Sequence, residues 1–298
     1  MSVPALGFGT APILGRLSAR KGLKALDYAY ERGVRHFDTA RSYGWGEAEG
    51  VLGKFLSAHP RESYTLVSKC GLVPVRKSPW LAAAKAIARS ALKLSPASQR
   101  LLKRAASSSR FAPSRSYDVQ ILSQSFETSL AELKTSYLDV LLLHSFNPAV
   151  GGVGESIAWM KELQRKGLIK RLGVSIGRDL FEGLAFLERE NLLADCVIQA
   201  PVSTQLLSLP GKWRNLSFIA HSPFGFLDAH AMKGDGAAPP LSNLLAGVAA
   251  SCRCEAVVCS MFTLAHIDQN LRAHARAGQI SAFNPSALIV PAPPGPAL

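Results

Sequence analysis

Three apolar, strand-like runs of this chain end in ionisable side chains. RHFDTA carries Asp38, YTLVSK ends in Lys69 and YLDVLLLH ends in His144, while Tyr43 follows Asp38 in the loop RSYGWGEAEG. Singly, each has an ordinary reading: a turn carboxylate, a solvated strand end, a core histidine, a packing tyrosine. Together they form a proton-transfer set. A phenol ionises at about pH 10, too high for easy exchange at neutral pH, and a neighbouring ammonium lowers that value. Asp38 would keep Lys69 charged and oriented, and His144 would direct a substrate carbonyl oxygen by hydrogen bonding. Tyr43 would then supply the proton, as a general acid, while hydride reaches the carbonyl carbon.

Such a set requires several strands to end on one rim. Strand-like runs occur at 6–10, 35–40, 64–69, 137–144, 169–176, 196–202, 216–222 and 256–261, separated by amphipathic stretches such as LSARKGLKALDYAYERG and VQILSQSFETSLAELKT. In the first of these, Leu23, Leu26 and Tyr30 share one face. Gly33 and Gly167 stand where helices should stop. Eight strands alternating with helices predict a parallel sheet, and the count and length favour closure into a (β/α)8 TIM barrel over an open doubly wound sheet. The active site of such a barrel lies at the C-terminal strand ends, where Asp38, Lys69 and His144 fall. The chain is read as one domain, 1–298. The connection after CVIQAPV has little helical signal.

A long basic excursion, 72–118, interrupts the alternation between the third and fourth barrel strands. It carries ten Lys and Arg residues from Arg76 to Arg115 and no acid before Asp118. WLAAAKAIARSALKL and QRLLKRA within it read as basic helices. A solvated surface is their ordinary meaning; a gate for anionic substrates over the barrel mouth and a membrane-surface or partner site are the alternatives.

Composition bounds the remaining classes. A hydrophobic content of 48% against 18% charged residues supports a sizeable core. No apolar run reaches the roughly 18 residues of a membrane span, and no basic segment precedes the first apolar residues, so the expected location is cytoplasmic. The five cysteines form neither a disulfide framework nor a zinc pattern. A net charge of +13 favours anionic or phosphate-bearing ligands. No aromatic-interleaved platform supports nucleic-acid binding.

The motifs GFGTA, FDTARSYGWGEAEGVLG, LDVLLLH, LIKRLGVSI, CVIQAPV and IAHSPFG, with the Lys69 strand end and the Asn270 segment, resemble the aldo-keto reductase family over nearly the full length. The resemblance implies a (β/α)8 barrel, NAD(P)H-dependent reduction of an aldehyde or ketone, no metal, and a catalytic tetrad of Asp38, Tyr43, Lys69 and His144. It implies an extended cofactor across the barrel mouth. Ser175 and Gln199 match the nicotinamide carboxamide contacts, His221 the ring-stacking position, and Ser222 and Phe224 the pyrophosphate and adenosine path. Ser260, Thr263, His266, Gln269 and Asn270 match the adenosine end.

The chain departs from the family pattern at four positions. Ile176 replaces a common asparagine, His221 a frequent aromatic, Ser260 a lysine or glycine and His266 an arginine of the 2′-phosphate grip, with Arg272 a candidate substitute. NADPH is the expected cofactor, with NADH as an alternative. Trp45 and Phe146, each two residues beyond a tetrad member, are expected to wall an apolar or aromatic carbonyl substrate. The competing functional class is a cofactor-binding sensor or scaffold barrel with little turnover, favoured by the altered cofactor positions and opposed by the complete tetrad.

Overall fold

The eight apolar runs close into one parallel barrel. The computed structural model describes residues 3–73, 114–177, 179–231, 240–280 and 282–288. Its strands β1 (Ala5–Gly9), β2 (His36–Asp38) and β3 (Thr65–Cys70) are followed by a short antiparallel pair, β4 (Leu72–Val73) and β5 (Ser114–Arg115). Then come β6 (Leu138–Phe146), β7 (Ile169–Ile176), β8 (Cys196–Pro201), β9 (Phe218–His221) and β10 (Cys254–Ser260). The barrel runs β1–β2–β3–β6–β7–β8–β9–β10 and closes on β1, every neighbouring pair parallel.

Helices flank the strands as the periodicity predicts. Ser18 caps α1 (Ala19–Glu31), accepting from the Lys21 amide, and Ala25, Leu26 and Ala29 turn inward. Next come α2 (Ala48–Leu56), α3 (Val119–Leu133), capped by Asp118, and α4 (Val153–Arg165). Gly33 and Gly167 follow α1 and α4 with φ of 90° and 73°, a left-handed backbone that glycine adopts without steric cost. Asp179 caps α5 (Leu180–Arg189). The weak connection after β8 holds only the one-turn α6 (Thr204–Leu207) and a 3-10 turn at Gly211–Trp213. The remaining helices are α7 (Pro223–Ala231), α8 (Leu241–Ser251) and α9 (Leu264–Ala277).

Strand alternation divides the core in two. Phe8, Phe37, Leu66 and Leu141 pack outward with the helices, while Val67, Val140, Leu142, Val197, Ile219, Ala256 and Val258 fill the barrel interior. Asp38, Lys69, Ser175 and Gln199 are buried polar residues at the strands' C-terminal ends, above that apolar plug.

The basic excursion leaves and returns through a defined neck, Leu72 opposite Arg115 and Val73 opposite Ser114. Residues 74–113, with the two expected basic helices and the suggested gate, lie outside the described residues. No helix among the described residues is long and apolar enough to cross a membrane. All five cysteines are free thiols.

Candidate active site

The loop after β2 is built to return a tyrosine over the barrel. The Thr10 amide donates to the Asp38 carbonyl (2.9 Å), the Thr39 amide to that of Val67 (2.9 Å), and the Arg41 amide to that of Lys69 (3.2 Å). The 3-10 turn Tyr43–Gly46 follows, with Gly44 at φ 56°. A Cβ on Gly44 would come within 2.8 Å of the Ile13 carbonyl oxygen, so glycine is required here on two counts. Trp45 also holds a positive φ of 64°, a sparsely populated conformation for a bulky residue.

Below that loop Lys69 is almost wholly buried and has three neighbours. Its Nζ donates to Asp38 Oδ1 (2.6 Å) and to the Thr39 carbonyl (2.8 Å), and lies 5.1 Å from the centre of the Tyr43 ring. Asp38 Oδ2 accepts from Gln199 Nε2 (2.6 Å), and Gln199 Oε1 accepts from Ser175 Oγ (2.9 Å). A continuous chain of hydrogen bonds therefore runs from β7 across β8 and β2 to β3, and the two that end on the Asp38 carboxylate are charge-assisted.

His144 meets Tyr43 edge to face, ring centres 5.5 Å apart, and its Nδ1 pairs with Ser42 Oγ at 3.3 Å. His221 stands on the opposite wall, its Nδ1 2.9 Å from Ser222 Oγ. Each imidazole is followed by a serine in left-handed conformation, Ser145 (φ 51°) and Ser222 (φ 56°), and both serines line the mouth. The pocket, about 120 Å³, is walled by Asp38, Tyr43, His144, Ser175, Gln199, His221, Ser222 and Ser260 with Gly9, Ala11 and Val258.

Protonation follows from this geometry. Burial disfavours the Lys69 ammonium, but Asp38 and Tyr43 more than offset it, so its pKa stands above the ordinary value. Burial also pushes the Tyr43 phenol upward and outweighs the downward pull of Lys69. The lysine thus acts in the expected direction, but the net shift is opposite to the one sequence reasoning predicts, because the ring is buried. Burial, then Lys69, brings His144 down to about 3. His221 falls to about 4, lowered first by burial. At neutral pH the pocket holds a protonated phenol, an ammonium and two neutral imidazoles.

Other expected site residues stand apart from this pocket. Phe146 is buried, stacked on Tyr117 (6.4 Å) and against Phe186 (5.8 Å), and it walls a neighbouring cavity of about 460 Å³ that shares Ser145 and Gly177 with the pocket. Trp45 is not among the pocket's lining residues. Ile176 packs outward, against Gly183 of α5. Phe224 lies at the start of α7, half-buried. Thr263 caps α9, accepting from the His266 amide (3.2 Å); His266 and Gln269 are exposed. Asn270 is buried, and its Nδ2 has no hydrogen-bond partner. Arg272 acts on the Tyr28 phenol beside Asp268, on the α1 side of α9.

Three further neighbours of these residues had not been singled out. Ser42 pairs with His144, the Thr39 carbonyl accepts from Lys69, and Arg16 lies over the Phe262 ring (5.7 Å), which in turn meets His266 (6.2 Å). Ser42 and Thr39 stand inside the FDTARSYG motif, a signal available beforehand; Arg16 had none.

Comparison with known proteins points to one family. A sequence model described as the Aldo/keto reductase family matches residues 5–182. An aldo-keto reductase of Alternaria alternata is 31% identical over 163 residues, 53% of this chain and 41% of that protein. A D-threo-aldose 1-dehydrogenase of a Pseudomonas species is 36% identical over 74 residues, 24% of this chain and 22% of that protein. The chain thus spans less than half the length of these curated relatives. Among solved structures, an aldo-keto reductase from Bacillus halodurans in its holo form aligns with a TM-score of 0.67 at 18% identity, covering 95% of this chain and 91% of that one. An aldo/keto reductase from Klebsiella pneumoniae, in complex with NADP and acetate, aligns at 0.61 and 21% identity, over 96% and 90%. At these identities the structural likeness is one of fold.

Proposed function

Because this chain belongs to the aldo/keto reductase family, we propose that it reduces an aldehyde or ketone to an alcohol at the pocket between Tyr43 and His144, using a nicotinamide cofactor. The observation that carries the reading is the Lys69 ammonium, 2.6 Å from Asp38 and 5.1 Å from the Tyr43 ring centre, beneath a pocket walled by that ring and His144.

Tyr43 is the general acid. Its raised pKa keeps the proton on the phenol at neutral pH, and Lys69 stabilises the phenolate left after transfer. His144 stays neutral; with Ser42 donating to Nδ1, its Nε2 carries the proton and directs the carbonyl oxygen toward Tyr43. Asp38 keeps Lys69 charged, and Gln199 keeps Asp38 in place.

The bound cofactor would supply the hydride. The residues present fit it. Ser175 and Gln199, each with hydrogen-bonding capacity beyond their mutual bond, would hold the carboxamide. His221 would offer its ring to the nicotinamide, Ser222 and Phe224 would line the pyrophosphate path, and the orphaned Asn270 Nδ2, with Gln269, would meet the adenine. The Leu264 and Ala265 amides, ahead of the His266 amide that Thr263 caps, would face phosphate beside Ser260. Arg16, over Phe262, supports a preference for NADPH over NADH.

Incubation with NADPH and a panel of aromatic and aliphatic aldehydes and ketones tests the proposal. Cofactor oxidation is expected in the wild type, and Tyr43→Phe should lower turnover by a factor of about 10² to 10⁴ while cofactor affinity stays within twofold. Full activity in Tyr43→Phe would remove the proton donor from the mechanism.

A further inference from the structure

The motif around Tyr43, FDTARSYGWGEAEGVLG, holds one buried acid with no role in proton transfer. Glu49, on the first turn of α2, is completely buried. Its Oε1 accepts from Ser68 Oγ (2.6 Å), and its Oε2 from Arg41 Nη1 (2.8 Å) and Ser129 Oγ (3.1 Å). A carboxylate wholly removed from water costs several kcal/mol unless its oxygens are met, and such networks are retained where they fix a geometry.

The donors show which geometry is fixed. Ser68 is the residue before Lys69 on β3. Arg41 stands two residues before Tyr43, and its backbone amide donates to the Lys69 carbonyl (3.2 Å). One carboxylate therefore grips the strand that delivers the ammonium and the loop that delivers the phenol. The third donor, Ser129, anchors it to α3. Glu49 bonds to Ser68 and Arg41 and to neither Lys69 nor Tyr43, so it bears on the pair through the strand and loop that carry them.

We propose that Glu49 is a positioning residue for the Lys69–Tyr43 pair, setting the ammonium against the phenol by holding Ser68 and Arg41 to α2. The inference rests on the assignment of that pair to carbonyl reduction, but its physical content is testable without turnover. The full chain would carry Glu49→Gln, which keeps an acceptor for Ser68 and loses the charge facing Arg41. Ser68→Ala removes a single donor and serves if the first variant does not fold.

The ionisation of Tyr43 is read as the difference in tyrosinate absorbance between each variant and the same variant carrying Tyr43→Phe. Loosening Lys69 should move the Tyr43 midpoint upward. It should also lower kcat for reduction by about 10- to 100-fold, the scale of an ångström of misplacement, with the Kd for NADPH within twofold. An unmoved midpoint in a folded variant overturns the proposal, as does a parallel loss of kcat, NADPH affinity and thermal stability, which marks a merely structural carboxylate. If the wild type reduces no carbonyl, the reductase reading fails, yet the titration still decides whether Glu49 sets the pair.

Discussion

Gln199 donates to Asp38 Oδ2 at 2.6 Å, on the carboxylate oxygen that Lys69 leaves free. The bond joins β8 to β2 across the barrel mouth, between residues 161 apart in sequence. It gives the glutamine a second task beside the carboxamide contact expected of it. Gln199→Leu would strip the donor from a buried carboxylate oxygen as well as a cofactor contact. The expected result is a fall in kcat for reduction of about 10- to 100-fold together with a raised KM for NADPH. Ser175→Ala, which removes one carboxamide contact and frees the glutamine to rotate, should raise KM with little change in kcat. Steady-state kinetics on the two variants separates these effects; identical profiles would mean Gln199 does not support Asp38.

The two pocket imidazoles make the fold sensitive to acid. Burial, then Lys69, holds His144 at about 3, and burial is the largest cause holding His221 at about 4. In the unfolded chain each takes up a proton near pH 6.5. Between about 6.5 and 4 the unfolded state therefore binds more protons than the folded one, and stability falls as pH falls, by up to about 1.4 kcal/mol per pH unit for each group. The urea midpoint should drop between pH 7 and 4.5, and His221→Phe should flatten part of that slope. A slope unchanged by this substitution would show that His221 is freely protonated in the folded state.

Much of the architecture was legible because barrel strands announce themselves by short apolar runs, and their C-terminal residues share a rim. Asp38, Lys69 and His144 could be grouped from that rule alone, with Tyr43 close behind Asp38. Lateral relationships were not legible. Nothing in the spacing says that Gln199 reaches Asp38, or that Glu49 binds Ser68 and Arg41, because those contacts depend on strand tilt and helix docking. Tyr43's raised pKa was missed for a related reason: adjacency to lysine is readable from strand ends, burial of a loop ring is not. Phe146 packs on Tyr117 and Phe186 while walling the cavity beside the pocket, and residue type alone foretells neither contact.

Arg16 offers a test of cofactor choice. It reaches the Phe262–His266 segment from the loop after β1, whereas Arg272 sits on the Tyr28 and Asp268 side of α9. Arg16→Ala should weaken NADPH binding by about fivefold, the scale of one partly exposed charge interaction of ~1 kcal/mol, and leave NADH unaffected. The difference should shrink as salt rises. Equal losses for both cofactors, measured by fluorescence titration, would place Arg16 away from the 2′-phosphate.

At the far end of the barrel, Asp139 should matter to stability and not to chemistry. Its Oδ2 accepts from Arg61 Nη2 (2.7 Å) and the Leu66 amide (2.8 Å), and its Oδ1 from Lys170 Nζ (2.7 Å), joining the lower ends of β3, β6 and β7. Burial pushes this carboxyl up, but Lys170, the Leu66 amide and Arg61 together hold it below its ordinary value. Its contribution is thus present above the unfolded pKa of about 3.9 and lost as pH falls through the lower folded value. Asp139→Asn would leave Arg61 without its counter-charge and place an amide against the Leu66 N–H, at a cost of about 3 kcal/mol. Urea unfolding at pH 7 should show that loss, while kcat measured on the folded fraction stays within twofold. The two effects separate because Asp139 stands at the start of β6 and His144 near its end, and Asp139 bonds to Arg61, Leu66 and Lys170, none of which lines the pocket.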